Sequence, residues 1–341
     1  MTVDLPFLMA AVIAVAVLLY VSLDGFDLGI GILFPLARSN ADRDTMMSTI
    51  APYWDGNETW LVMGGGGLLA AFPLAYAVLM PAFYLPVMLM LLSLILRGVA
   101  FEFRLHGRVR GKRLWTAAFF TGSLLATVSQ GLILGGFIQG VRVRGDAFAG
   151  GAFDWATPYS LLTAAGLVAG YVLLGAGWIM LKTTDDLHGD ARRWAKIAAG
   201  AVAALLAVVS LATLMVHPEV AARWGYSGGS VQLATLAPLL PIPLLGAVGL
   251  GLVLWGLARR SHGLPFLGGL VVFFSGYLGL AASFFPFIVP YRIDFRAAAN
   301  EHGALALVFG GVVALLPFIL GYTAFVFWLF RGKAVVDAHH Y

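Results

Sequence analysis

The chain has 341 residues, 60% of them hydrophobic and only 11% charged, with 42 glycines and no cysteine, at a mean hydropathy of +0.90. A soluble domain carries roughly 25% charge, so the composition excludes a soluble globular protein. The lack of cysteine excludes disulfides, iron–sulfur clusters, thiolate zinc sites and a cysteine nucleophile. The 21 Lys and Arg against 17 Asp and Glu give +4, a balance that points to no nucleic-acid partner and whose distribution across loops matters more than its sum.

At about 20 residues per span, this length holds roughly eight to ten transmembrane helices and no sizeable domain outside the bilayer. The start, Met1-Thr2-Val3-Asp4-Leu5-Pro6, lacks the basic region and small-residue cleavage site of a signal peptide, so the apolar run after it is expected to remain as a span. Apolar runs predict nine spans in one polytopic domain covering 1–341, at 7–36, 57–78, 82–103, 115–139, 158–181, 195–216, 236–257, 265–289 and 303–330. Spans two and three are expected to meet in a tight apolar turn from Phe72-Pro73 to Pro81. An outside N-terminus puts fifteen basic residues, among them Arg38, Arg43, Arg104, Arg108, Lys182 and Lys333, on the cytoplasmic side. The other face receives only Arg142, Arg144, Arg223, Arg292 and Arg296, a strong positive-inside asymmetry. The expected fold is an all-α integral membrane protein, N-out and C-in.

Ionisable residues inside spans are the most informative, because an Asp near the bilayer centre costs about 3 kcal/mol on insertion scales. In span one, Asp24 and Asp27 are three apart and share a face, while Gly25 and Gly29 form a GxxxG pair roughly 150° away. One face packs and the other is polar. Span two opens with Ala51-Pro52-Tyr53-Trp54-Asp55-Gly56-Asn57-Glu58-Thr59-Trp60, where Asp55 and Glu58 are again three apart. Span three leaves on the same side through Arg97-Gly98-Val99-Ala100-Phe101-Glu102-Phe103-Arg104. Three successive helix ends thus direct Asp24, Asp27, Asp55, Glu58, Glu102 and Arg97 to one cytoplasmic-side region. Clustered carboxyls in a low dielectric favour holding protons and Arg97 favours their ionised form, which makes a set able to hold and pass protons near neutral pH. A plainer reading stands beside this one: Asp55 caps span two, where Pro52 and Asn57 also mark a helix start, and Glu102 sits with Arg104 at the headgroups. Asp24 and Asp27 have no such interfacial explanation.

Weaker signals follow the same order. Gly64-Gly65-Gly66-Gly67 predicts close helix contact rather than a phosphate loop. Trp54, Trp60, Trp115, Trp155, Trp194 and Trp328 lie near span ends and read as an aromatic belt. Met63, Met80, Met88 and Met90 read as core filling. Gln130 and Gln139 in span four need partners, and Pro286 and Pro290 should kink or end span eight. His106, His188, His262, His339 and His340 fall in cytoplasmic loops or the tail, and His217 and His302 at outer span ends, so the histidines do not form a haem-ligand pair in a span centre. The residues alone describe a polytopic protein with a cytoplasm-facing proton site and no cofactor of its own, which fits a proton-coupled secondary transporter or one subunit of a larger redox complex.

Three segments carry a resemblance: Asp24-Gly25-Phe26-Asp27-Leu28-Gly29-Ile30-Gly31, Ile50 to Leu61, and Leu96 to Arg104 are similar to the signature segments of subunit II of cytochrome bd-type quinol oxidases, including the cyanide-insensitive branch. Phe285-Pro286-Phe287 with Pro290 extends the resemblance, which thins between about 115 and 260. It implies a heterodimer with a subunit I that carries the quinol site, two b-type haems and one d-type haem. Ubiquinol or menaquinol would be oxidised and O2 reduced to water in the bacterial inner membrane. It also implies a haem-free subunit II of nine spans, arranged as two helical bundles plus one extra helix, that lends acids to an interfacial proton path from the cytoplasm. Carried over by motif, these are Asp24, Asp27, Asp55 and Glu102, with Arg97 as charge partner and Trp54 and Trp60 as motif aromatics. A structural quinone, bound lipid, an O2 route and small single-span subunits are compatible with the resemblance and assigned to no residue. Glu58 departs from it, standing where an uncharged Gln is found in family members, and Glu102 replaces the familiar Asp. A transporter would more often place its charges near the midplane on broken helices in both halves, whereas here the acids are confined to spans one to three.

Overall fold

Helix α1 (Leu5–Leu33) starts where Asp4 accepts the Phe7 amide at 3.2 Å and closes in a 3-10 turn, Phe34–Leu36. The structure, a computed structural model, describes residues 4–106, 109–227 and 229–334; residues 1–3, Arg108, His339 and His340 of the sequence reading lie outside them. A reciprocal capping box between Ser39 and Asp42 starts the surface helix α2 (Asn40–Ser48). There follow α3 (Trp54–Ala71), α4 (Pro73–Ala82), α5 (Tyr84–His106), α6 (Val109–Gln139), α7 (Pro158–Lys182), α8 (Asp186–Val216) and the short α9 (Pro218–Arg223) and α10 (Leu233–Leu236). The chain continues as α11 (Pro241–Ala258), α12 (Leu264–Phe284), the single turn α13 (Phe295–Ala298) and α14 (His302–Leu329). Among the described residues, three two-stranded antiparallel hairpins occupy the loops after α6, α9 and α12.

Several boundaries differ from expectation for identifiable reasons. Pro73 has no amide hydrogen to give the preceding turn and suits a first helical position, so span two stops at Ala71 rather than 78 and the expected tight turn is the separate helix α4. Span eight stops at Phe284 rather than 289, because Phe287–Val289 pairs with Ile293–Asp294 in a hairpin. Helices α6 and α8 begin at Val109 and Asp186, earlier than 115 and 195, by recruiting charged residues that the apolar runs left out. Span seven begins later, at Pro241 rather than 236, after a 3-10 turn.

Among the described residues, eight helices are long and apolar enough to cross a membrane: α1, α5, α6, α7, α8, α11, α12 and α14. Helix α3 does not qualify by composition, because Asp55, Asn57 and Glu58 fill its first turns, yet its ends lie at opposite ends of the bundle. Just before it, the Tyr53 hydroxyl donates to the Phe330 carbonyl at 2.8 Å, beyond the C-terminus of α14. At its other end, the Ala71 carbonyl accepts the Asn300 amide at 2.8 Å, beside the N-terminus of α14. Helix α3 is therefore the ninth crossing element, antiparallel to α14.

Helices α1, α3, α5 and α6 form one group and α7, α8, α11 and α12 a second, with α14 to the side against α1 and α3. Lipid is as apolar as the helices, so association depends on close packing between small residues rather than on the hydrophobic effect. The seam between the groups follows that rule: a Cβ on Gly29 would stand 1.8 Å from the Tyr171 carbonyl oxygen, and Gly175 of α7 packs on the backbone of Gly29 and Ile30. Beside it, Phe26 stacks on Trp178 at 4.2 Å. The Gly25/Gly29 face of span one packs as expected. Of the glycine run in α3, only Gly64 and Gly67 meet α1; Gly65 and Gly66 face open space, which corrects the expectation of contact along the whole run. Met88 faces outward at 39% exposure and is not core filling.

Basic residues tie one end of the bundle together. Arg38 pairs with Asp190, Arg104 with Asp44, and Lys112 with Asp44 at 3.0 Å. The buried Lys182 closes the C-terminus of α14 by donating to the Phe330 carbonyl at 2.5 Å and the Tyr53 hydroxyl at 3.2 Å. The opposite end is tied by Asp4 with Arg296 at 2.8 Å and Asp154 with Arg142 at 2.6 Å. These hydrogen bonds hold both carboxyls below the ordinary aspartate value. Gly29→Val, which forces α1 from α7, is expected to cost about 3 kcal/mol, the upper range for overpacking, and to lower the melting temperature of the detergent-solubilised protein. Gly65→Ala, in open space, should leave it unchanged or raised.

Candidate functional site

Helix periodicity puts Asp24 and Asp27 on the face of α1 opposite its glycines, and the structure turns that face towards α3 and α5. Both carboxyls are fully buried. Asp24 Oδ1 accepts from the Arg97 NH2 group of α5 at 2.5 Å, and the same nitrogen reaches Glu58 Oε2 of α3 at 3.3 Å. One guanidinium group thus joins carboxyls from two other helices. Asp27 Oδ2 accepts from Asn57 Nδ2 at 2.8 Å, which ties α1 to the first turn of α3 a second time. The guanidinium of Arg97 lies 5.6 Å from the centre of the Trp54 ring, and Trp54 in turn packs on Phe101 at 5.2 Å.

The hydrogen bonding of this cluster is incomplete within the protein. Asp24 Oδ2, Asp27 Oδ1, Arg97 Nε and Arg97 NH1 are buried without a protein partner. A buried polar atom left without a partner costs about 1–3 kcal/mol, so four of them at one place favour water that bridges carboxyl to guanidinium. Access is built in. A cleft of about 330 Å³ runs between α3 and α5, walled by Trp54, Asp55, Glu58, Val62, Ile95 and Gly98. Asp55 stands exposed at its rim and Glu58, 29% exposed, spans the distance between the cleft and Arg97.

Of the residues singled out from sequence, the structure brings Asp24, Arg97, Glu58 and Trp54 together, sets Asp27 beside them through Asn57, and puts Asp55 at the entrance. Glu102 lies on the exposed side of α5 and does not line the cleft. Asp55 does not cap α3, whose N-cap position is Tyr53; it is a first-turn acid, favoured there by the helix dipole. The carboxylate that meets Arg104 in an ion pair is Asp44 of α2. Trp60 is 1% exposed and packs on Ala16 and Tyr20, which removes it from any aromatic belt. Burial pushes the Tyr53 phenol up to about 12, so it remains a neutral donor. Asn57 was legible only as a helix-start residue; its place one position before Glu58 was the available signal for a buried partner. Among the described residues no three His, Asp or Glu side chains gather as a metal site would need; His188 and His262 approach one another only at the basic end, each with Nδ1 against the Met180 carbonyl.

Arg97→Leu should destabilise the protein by about 3–5 kcal/mol, because it leaves buried carboxyls without their cation. Adding Asp24→Leu should recover part of that loss, so melting temperatures of the two single and the double variant should be non-additive; strictly additive values would mean that the pair is not coupled.

The chain matches a family model described as cytochrome bd terminal oxidase subunit II over residues 5–330. The cytochrome bd-I ubiquinol oxidase subunit 2 of Escherichia coli (strain K12) is 27% identical over 361 aligned positions, covering 96% of this chain and 95% of that protein. The cytochrome bd ubiquinol oxidase subunit 2 of Bacillus subtilis (strain 168) is 29% identical over 344 positions, covering 97% and 96%. Among solved structures, a chain of the bd oxidase from Geobacillus thermodenitrificans superposes with a TM-score of 0.73 at 16% identity, over 96% of this chain and 99% of that one, a likeness of fold. None of these relatives supports the transporter alternative.

Proposed function

Because the chain belongs to the cytochrome bd terminal oxidase subunit II family, we propose that, as part of a quinol:oxygen oxidoreductase, it feeds protons to O2 reduction on a partner subunit. The observation that carries this reading is the single Arg97 guanidinium shared by Asp24 and Glu58 at the inner end of a cleft whose rim bears Asp55. Three buried or half-buried carboxyls face one guanidinium. Their full ionisation would leave two uncompensated negative charges in a low dielectric, which is costly, so the set exchanges protons rather than holding one fixed charge state. Protons enter at Asp55, pass to Glu58, and reach Asp24 and Asp27 through bridging water. Glu102, on the exposed side of α5, stands outside this sequence of transfers.

The reaction places this chain beside a subunit I that holds the quinol site, two b-type haems and one d-type haem. This chain ligates no haem; the haems supply electron transfer and oxygen chemistry, and the present residues bring protons. Ubiquinol or menaquinol is the electron donor. The basic end faces the cytoplasm, with the N-terminus outside, in a bacterial inner membrane. The open α3–α5 side, where the cleft emerges, is the side on which the partner docks, so that the path runs along the contact between the two chains.

Purification of the tagged chain from its native membrane in mild detergent should bring down a second large subunit with reduced-minus-oxidised b- and d-type haem bands. A single spectrally silent polypeptide, found reproducibly, would contradict the proposal. In the assembled complex, Asp27→Asn or Asp55→Asn should slow O2 consumption about tenfold or more, the scale of lost proton transfer, with the haem bands intact. Wild-type turnover in a fully assembled double variant would refute the path.

A further inference from the structure

A second polar chain crosses the first helix group behind the carboxyls. The Tyr171 hydroxyl of α7 donates to Gln130 Oε1 of α6 at 2.8 Å, and Gln130 Nε2 donates to the Tyr20 hydroxyl of α1 at 2.7 Å. An amide oxygen only accepts and an amide NH2 only donates, so the direction of this chain runs from α7 towards α1. Tyr20, already an acceptor for Gln130, keeps its own hydrogen to give. Asp24 lies one helical turn further on the same face of α1. Asp24 Oδ2 is the oxygen that Arg97 leaves without a partner, buried on the side of α1 where Tyr20 precedes it by one turn.

We propose that Gln130 is a positioning residue for the proton site. It holds the Tyr20 hydroxyl, with its own hydrogen still to give, one turn from the unpartnered Asp24 Oδ2, so that Tyr20 serves that oxygen through the water that bridges the cluster. It also closes the site on the inner side. A hydroxyl or carboxyl can accept one proton while releasing another, whereas a primary amide at neutral pH does not, and beyond it the Tyr171 ring stacks on Phe273 at 5.6 Å. Protons held at Asp24 therefore have no relay along the Tyr20–Gln130–Tyr171 chain and exchange on the α3–α5 side. Gln130 itself meets Tyr20 on α1 and Tyr171 on α7, and the titratable and charged groups that face Tyr20 are Asp24 on α1, Tyr171 on α7, Arg97 on α5 and Glu58 on α3. The inference rests on the proton-path reading above.

The test uses the assembled oxidase carrying Gln130→Leu, which removes both hydrogen bonds, and Gln130→Glu, which keeps the shape and adds a titrating group. Gln130→Leu should lower turnover about threefold to tenfold, the worth of one hydrogen bond, and should shift the infrared carboxyl band that Asp24→Asn abolishes. Gln130→Glu should displace the pH profile of turnover by about one unit, as expected for a new charge beside the cluster. A role in packing alone would move neither the band nor the profile. Should Gln130→Leu not assemble, Tyr20→Phe, which removes only the hydroxyl, carries the same expectation for turnover and for the band. Unchanged band, profile and turnover in the Gln130 and Tyr20 variants, alongside slowed Asp27→Asn, would overturn the role of Gln130 alone. Unchanged carboxyl variants as well would overturn the path on which it rests.

Discussion

The ion pair between Asp24 and Arg97, buried in an otherwise apolar helix group, is the constraint on which the arrangement of α1, α3, α5 and α6 depends. An arginine inside a membrane protein must find its charge partner and its hydrogen bonds within reach of a fixed helix position. The surroundings meet that need by close approach. A Cβ on Gly122 of α6 would lie 2.7 Å from the Ser93 carbonyl oxygen and 2.9 Å from the Arg97 amide of α5, so only a glycine lets α6 support the turn that carries the guanidinium. On the far side of α1, Gly29 and Gly175 bring α7 equally close. Helix α1 is thus clamped between a polar face directed at α3 and α5 and a glycine face directed at α7.

A buried ion pair is weak evidence for stability, since desolvation offsets much of the attraction. Its retention here makes sense through what it does to neighbouring carboxyls. Arg97 meets Glu58 as well as Asp24, while four polar atoms of the cluster have no protein partner, so the site is neither fully neutralised nor fully bonded. A completed network would hold its protons tightly and a purely apolar one would hold none. The intermediate condition, open through a cleft between α3 and α5, suits a group of residues that receives and releases protons.

Much of this was legible in the sequence because intramembrane charges are rare and helix spacing is regular. Asp24 with Asp27, and Gly25 with Gly29, could be assigned to opposite faces of one helix by counting alone, and both faces do what that counting implies. The fold class and eight of the crossings followed from apolar runs, and the resemblance of three motifs agrees with the family match. What was missed depends on partners distant in sequence. Gln130 signalled only that it lacked a partner, since Tyr20 and Tyr171 lie 110 and 41 residues away and are apolar-looking members of their spans. Asn57 hid as a helix-start residue. Lys182 read as one more positive charge at a membrane face, though it is buried against Tyr53 and closes the C-terminus of α14. The Trp60 assignment failed for a related reason: nearness to a span end suggested an interface, but Trp60 stands on the side of α3 that faces Ala16 and Tyr20 of α1.

The central claim, that the carboxyls around Arg97 deliver protons to O2 reduction, is tested most directly by time-resolved proton uptake. The assembled oxidase, fully reduced and mixed with O2 in the presence of a pH indicator, should show uptake in step with haem oxidation in the wild type. In Glu58→Gln the account predicts that uptake lags behind the first electron-transfer step, with haem content unchanged. Uptake that keeps the wild-type rate and stoichiometry in that variant, and equally in Asp24→Asn, would contradict the account.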